Sequence, residues 1–328
     1  MILVTGATGF LGSELALQLL DRGDEVRCTK RAGSIVPLLL RPYQHRIQWV
    51  NADMLDIFAL EKALEGVTQV YHCAAWVSLK RADKKKMIHT NVTGTANLVN
   101  LCVKLNIRLL HVSSIAAIGT ALPGELINEN NHLEGATEDD GYAISKLESE
   151  MEVWRGIAEG LNAVIVNPSL IIGANAGTEG SGLLFEAVYK WGVKFYTLGT
   201  VGFVDVVDVA RCMIMLMNSE IHSERFIVSS ENLTYQQVTV EIAKHLNMPA
   251  PTLLARPWMM ELAWRSAALL SRITRKAPLI DKVSAQIASE TRNYDNFKIR
   301  HAIGVEFKPI NESIKDICED WHLSLQVV

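Results

Sequence analysis

Apolar positions along the chain follow two periods in turn. Short apolar runs suited to buried parallel strands fall at residues 2–4, 25–29, 47–50, 67–72, 109–112, 163–166 and 225–229. Between them apolar residues recur at helical spacing. Leu15, Leu19 and Leu20 mark a helix from Ser13, residues 56–64 a short one, and residues 87–105 a long one with Ile88, Val92, Leu98, Val99 and Cys102 on its apolar side. Further helices are predicted from 142 to about 160 and over 183–189, 206–217, 234–247, 257–273 and 281–293. Strands alternating with helices predict an α/β fold, a doubly wound parallel sheet followed by a smaller, helix-rich C-terminal part. The expected division is 1–167 plus about 202–229 in the first domain, and 168–201 plus 230–328 in the second. The Gly- and Ser-rich stretch 174–182 reads as a mobile loop, and 76–86 as a polar, basic one.

The junction between the first strand and the first helix carries Gly6, Gly9 and Gly12. Strand, glycine turn and helix in this order form the setting for dinucleotide binding. Gly6 allows the tight turn, Gly9 lets a pyrophosphate approach the backbone, and Gly12 lets the helix pack on the strand. The helix N-terminus adds amide donors and the positive end of its dipole.

In NAD-binding units of this kind an acidic residue stands about 20 residues past the glycines and holds the ribose hydroxyls. Here the corresponding strand end reads Thr29-Lys30-Arg31, with no acid. Two cations there suit the 2′-phosphate of NADP; the alternative is a pair of solvated surface charges. NADP(H) is therefore the preferred cofactor, with NAD(H) possible.

Composition narrows the partners. The 328 residues are 49% apolar, enough for a substantial core, and the net charge of −4 gives no reason to expect nucleic acid or an anionic membrane. Five scattered cysteines without CxxC spacing read as buried thiols of a reducing compartment. Nine histidines form no metal-binding pattern, so no metal is expected. A strand starting at residue 2 leaves no room in this chain for a signal peptide, and residues 257–273 carry Glu261, Arg265 and Arg272, more like an amphipathic helix than a span. A cytoplasmic location is expected.

Thr5-Gly-Ala-Thr-Gly-Phe-Leu-Gly12 resembles the TGxxGFxG signature of extended short-chain dehydrogenases/reductases, within the NAD-dependent epimerase/dehydratase superfamily. Further segments resemble that family. They are Asn51-Ala-Asp53-Met54, His72-Cys-Ala-Ala75, Asn91-Val-Thr-Gly-Thr95, Ser113-Ser-Ile-Ala-Ala-Ile-Gly119, Tyr142-Ala-Ile-Ser-Lys146 and Asn167-Pro-Ser-Leu-Ile-Ile-Gly173. The run Val26–Arg31 is similar to the dihydroflavonol reductase branch, and the chain as a whole to that branch and the 3β-hydroxysteroid dehydrogenase branch. The resemblance implies a Rossmann sheet and a substrate domain. It implies cofactor contacts from Gly6, Thr8, Gly9, Phe10, Leu11, Gly12, Lys30, Arg31, Asp53, Met54, Ala74, Ala75, Ser113, Tyr142, Lys146, Pro168 and Ser169. Asp53 would bind the adenine amino group. It also implies a homodimer built from the helices 87–105 and 143–160.

The same resemblance implies a catalytic set of Ser114, Tyr142 and Lys146, joined by Asn91. Tyr142 and Lys146 share one helix face at a spacing of four. A carbonyl that receives hydride needs a proton on oxygen, and a tyrosine with a pKa of about 10 needs help to exchange one near neutrality. Lys146 and the nicotinamide would lower that pKa, making Tyr142 the general acid in reduction and base in oxidation, while Ser114 bonds the substrate oxygen. Asn91 either orients the lysine through water or bridges backbone.

For the substrate side, Trp76, Ser114 and Tyr142 are the expected contacts. Trp191, Phe195, Tyr196, Trp258 and Met259 either line an apolar pocket with Trp76 or belong to the core. Sugar-nucleotide epimerases usually place arginines at the positions of Asn167 and Val201, and their dehydratase relatives place Asp-Glu after the active-site Thr, where Ile115 and Ala116 stand. Asp139 and Asp140 precede Tyr142 instead. The reading is an NADP(H)-dependent oxidoreductase that reduces a small-molecule aldehyde or ketone, or oxidises the alcohol. The alternatives are an NAD-dependent sugar-nucleotide epimerase or dehydratase and an NADP-sensing regulator.

Overall fold

The computed structural model describes residues 1–78, 81–122, 124–133, 140–177, 180–274 and 282–326. The first half runs β1 (Ile2–Thr5), α1 (Phe10–Asp21), β2 (Val26–Lys30), β3 (Ile47–Asn51), α2 (Ile57–Ala63), β4 (Gln69–His72), α3 (Lys84–Leu105), β5 (Arg108–Val112), α4 (Gly141–Ala158) and β6 (Ala163–Pro168). The second half runs β7 (Leu170–Ile172), α5 (Gly182–Trp191), β8 (Phe195–Tyr196), β9 (Thr200–Asp205), α6 (Val206–Met217), β10 (Glu224–Val228), β11 (Glu231–Thr234), α7 (Tyr235–His245), β12 (Leu253–Leu254), α8 (Pro257–Thr274), α9 (Lys282–Ile287), α10 (Phe297–Ile303) and α11 (Ile310–Gln326).

Seven strands form one parallel sheet in the order β3-β2-β1-β4-β5-β6-β10. Alternate residues of each strand serve opposite faces. Leu3, Val70, Leu109 and Ile165 pack with Leu60 of α2, Leu98 of α3 and Val153 of α4. Val4, Tyr71, Leu110 and Val164 pack with Leu15 of α1 and Val209 of α6. This is the doubly wound Rossmann arrangement, with the strand order reversing between β1 and β4. A third core joins Phe185 of α5, Phe203 of β9, Ile242 of α7 and Ile314 of α11.

Three segments differ from the sequence expectation. Residues Leu38–Arg46 form a run of 3-10 turns that no apolar period announces. The helix α3 begins at Lys84, inside the stretch read as loop. The predicted helix over 281–293 ends at Ile287, because the chain beyond it takes backbone partners from distant segments. Arg292 N donates to Thr200 O at 2.9 Å, and Tyr294 N to Asn232 Oδ1 at 2.9 Å. Strand β9 pairs with β7 and β11, outside the main sheet. Within 174–182, Ala174–Ala176 is a 3-10 turn, and residues 178–179 lie outside the described residues. Among the described residues no helix is long and apolar enough to cross a membrane.

Candidate active site

A cavity of ≈ 1130 Å³ opens over the C-terminal ends of β1, β4, β5 and β6. On one side the chain turns at Gly6, whose φ of +71° is the left-handed region that suits glycine. Gly9 N closes that turn onto Gly6 O at 2.9 Å. A methyl group on Gly6 would lie 2.6 Å from Ala74 N, and one on Gly12 2.3 Å from Gly6 O. Helix α1 then starts with no side-chain cap at Gly9, so its first amides have no intrahelical acceptor. Gly6, Gly9, Phe10, Leu11 and Gly12 all line the cavity.

The opposite wall holds Ser113, Ser114, Tyr142, Lys146, Pro168 and Ser169. Asp140 caps α4 by accepting from Ala143 N at 2.9 Å, which fixes the start of the helix that carries Tyr142 and Lys146. Tyr142 and Ser114 both face this cavity, and Ser114 acts to lower the Tyr142 pKa. Ser114 Oγ accepts from Ala116 N at 3.1 Å. Lys146 is buried and its Nζ donates to Val112 O at 2.9 Å, at the end of β5. Three polar groups of the hydride-transfer type thus stand in one cavity with the glycine turn.

The sequence profile of the NAD dependent epimerase/dehydratase family matches residues 2–229. The chain belongs to this family. It is 30% identical over 311 residues to sterol demethylase protein B of Methylococcus capsulatus, covering 92% of each chain. It is 27% identical over 323 residues to a putative dihydroflavonol 4-reductase of Synechocystis, covering 95% of this chain and 92% of the other. The UDP-glucose 4-epimerase of Thermotoga maritima shares the fold at a TM-score of 0.80 and 18% identity, covering 99% of both chains. The chain is an enzyme of the NAD(P)-dependent oxidoreductase class, of the extended short-chain dehydrogenase/reductase kind related to dihydroflavonol reductases.

The residues present fit a nicotinamide dinucleotide. The cradle between Gly6 and Ala74 has no room for a side chain. Ser113 Oγ and Ser169 Oγ are buried with no hydrogen-bond partner in the protein, and both residues line the cavity. Behind them Thr5 Oγ1 and Thr95 Oγ1 hold the two nitrogens of His72 at 2.8 and 3.0 Å, and Thr5 Oγ1 accepts from Ala74 N at 3.2 Å. That ladder fixes the β4 end, where Cys73 and Ala75 line the cavity.

Other expected residues of this family member stand elsewhere. Thr8, Lys30, Arg31, Asp53, Met54 and Ala74 are not part of the cavity wall. Lys30 ends β2 and Arg31 follows it, with Lys30 Nζ 5.8 Å from the centre of the Trp49 ring. Asp53 is exposed and accepts from Leu55 N at 2.9 Å. Met54 sits against Gly94 of α3, which has no room for a methyl group there. Asn91 bridges backbone: its Oδ1 accepts from Trp76 N at 2.7 Å and its Nδ2 donates to Trp76 O at 2.9 Å and Ser145 Oγ at 3.2 Å. Trp76 is held there with Lys86 Nζ over its ring at 5.5 Å, and its neighbour Val77 faces the cavity in its place.

Of the aromatics read as pocket or core, those described lie outside the cavity wall. Phe195 is 47% and Trp258 61% exposed, and neither they nor Tyr196 and Met259 line the cavity. The Trp191 side chain and Asp139 lie outside the described residues. The aromatic side chains on the substrate side are Tyr235 and Tyr294, with Ile287 and Arg292 nearby. Asn167 is 0% exposed, bonds to Ser114 O and Glu150 and is not among the residues lining the cavity, whereas Val201 does line it.

At Tyr142 burial raises the pKa, Ser114 lowers it and Asp140 raises it; the net direction within the protein alone is up. Burial pushes Lys146 down to about 8, against the opposing pull of Cys73 and Glu150. His72 is pushed down to about 3 by burial and by the Lys146 charge, and His111 well below its ordinary value for the same reasons together with His72. Both imidazoles are therefore neutral at physiological pH.

Proposed function

We propose that the protein is an NADP(H)-dependent carbonyl reductase in which Ser114, Tyr142 and Lys146 act on a small-molecule aldehyde or ketone. The observation that carries this reading is that Ser114, Tyr142 and Lys146 line the same cavity as the glycine turn. Bound NADPH supplies the hydride to the carbonyl carbon. Ser114 donates a hydrogen bond to the substrate oxygen, and Tyr142 delivers the proton that completes the hydroxyl group. Lys146 keeps a positive charge beside the site, which favours the tyrosinate left after proton transfer. Oxidation of the alcohol reverses each role, with Tyr142 as base.

Two features support a reductase over a sugar-nucleotide epimerase. The end of β2 carries Lys30 and Arg31 with no carboxylate, and the cavity wall has Val201 where a diphosphate-binding arginine stands in epimerases. Ile115, Ala116, Ile118, Leu133, Val201 and Ile287 make much of the substrate side apolar. The relative called a putative dihydroflavonol 4-reductase points the same way. We further propose a homodimer built on α3 and α4, whose packing leaves Met151 60% exposed on the outer face. The test of function is turnover of a panel of apolar aldehydes and ketones with NADPH. Alcohol formation is the expected result; tight NADPH binding without turnover across the panel would support the sensor reading.

A further inference from the structure

We propose that Glu150 is a positioning residue for the catalytic set, tying the Ser114 main chain and the Lys146 helix to the substrate-side segment 129–132. The proposal rests on the carbonyl-reductase reading for the roles of Ser114 and Lys146. Glu150 follows Lys146 by four residues on α4, one helical turn along the same face. It is 1% exposed, yet both carboxylate oxygens are used. Oε2 accepts from Asn167 Nδ2 at 2.8 Å, and Oε1 accepts from Arg225 Nη1 at 3.0 Å and Trp154 Nε1 at 3.2 Å.

Each partner leads to a different wall of the cavity. Asn167 Nδ2 also donates to Ser114 O at 3.0 Å, so one amide nitrogen joins the Glu150 carboxylate to the backbone of the substrate-binding serine. Asn167 is fully buried and its Oδ1 has no partner, so those two donated bonds hold its amide. Arg225, on β10, donates through Nε to Glu129 O at 2.9 Å and through Nη2 to Asn131 O at 3.0 Å. Asn130, Asn131 and His132 line the substrate side of the cavity. Glu150 is thus the shared acceptor between the serine, the lysine helix and a substrate-facing segment.

A buried ion pair is weak evidence for stability, since a well-packed apolar replacement is often as stable. Its geometry does something apolar packing cannot: it fixes three elements to one point by directed, charge-assisted bonds. The carboxylate also acts on Lys146, which is faced by His72 and Cys73 at the end of β4, by His111 on β5 and by Glu150 on its own helix. Both histidines are neutral and the Cys73 thiol is pushed up to about 12, and Glu150 is the carboxylate among the groups that raise the Lys146 pKa. Removing its charge lowers the Lys146 pKa, and Lys146 then loses its proton at a lower pH.

The experiment is Glu150→Gln in the full-length protein with three readouts. Kinetics with a reducible carbonyl should show kcat lower by about tenfold or more, the scale of a lost charge-assisted bond, with KM changed far less. The basic limb of the kcat/KM profile should move to lower pH. Titration of the Lys146 side chain by NMR, which needs no turnover, should show the same downward shift. A lower melting temperature with kcat and the Lys146 titration both unchanged would overturn the proposal and leave Glu150 a purely structural ion pair. Should Glu150→Gln fail to fold, Asn167→Ser removes the amide that joins Glu150 to Ser114 O and keeps the Glu150–Arg225 pair. A kcat loss there supports the positioning role, and an unchanged kcat overturns it. Absence of turnover in the wild-type protein would instead count against the reductase reading, and the NMR titration would still decide the role of Glu150.

Discussion

Arg31 stands exposed immediately after β2, and its neighbour Lys30 lies alongside Trp49. A guanidinium there can meet a 2′-phosphate as a two-pronged donor. One such contact is worth about 1.5–3 kcal/mol, or about ten- to hundredfold in affinity. Arg31→Ala should therefore weaken NADPH binding by that factor and leave NADH almost unchanged, as read from paired dissociation constants. Tighter binding of NADH than NADPH by the wild-type protein would return the assignment to the epimerase reading. The strand end that carries Lys30 and Arg31 is legible in the sequence, because the glycine turn and the apolar run after it place β2 by local pattern. Asn91 is not decided by sequence, since bridging Trp76 and orienting Lys146 demand the same residue type. The spacing of four between Tyr142 and Lys146 fixes a shared helix face but not the direction of the lysine, which reaches Val112 O.

Strands and helices with strong periods fall where the pattern places them, and the glycine turn shows why the first pair is so constrained. A Cβ on Gly12 meets the Gly6 carbonyl at 2.3 Å, and backbone cannot yield as a side-chain end can. Overpacking of this sort costs about 1–3 kcal/mol. Gly12→Ala should lower the melting temperature and weaken NADPH binding by about tenfold or more, since the same shift moves the first amides of α1. Calorimetry and a fluorescence titration read the two effects, and an unchanged cofactor affinity would refute the cradle described for α1. The segment after α9 departs from its helical expectation for a physical reason. The amides of Arg292 and Tyr294 take their acceptors from the Thr200 carbonyl and the Asn232 side chain, far away in sequence, and no local period records that. That pairing delivers Arg292 and Tyr294 to the cavity, so the substrate wall is the least legible part of the site.

At the scale of the molecule, the sheet supplies one end of the cavity and the segments after β6 most of the other. The proposed dimer would pair α3 and α4 with their copies on the far side of the sheet from α1 and α6. Sedimentation at micromolar concentration should show a dimer, and Met151→Glu should shift it toward monomer; a monomer throughout would remove this assembly. The central claim is hydride delivery to a carbonyl carbon with Tyr142 as proton donor. It is tested most directly by following deuterium from NADPH labelled at C4 into a reducible carbonyl compound, in wild type and Tyr142→Phe. The account predicts one deuterium on the carbinol carbon of the product, and a rate in the variant lower by about two to four orders of magnitude, with NADPH affinity retained. Sugar-nucleotide turnover with no net transfer of label, or a variant as fast as wild type, would contradict it.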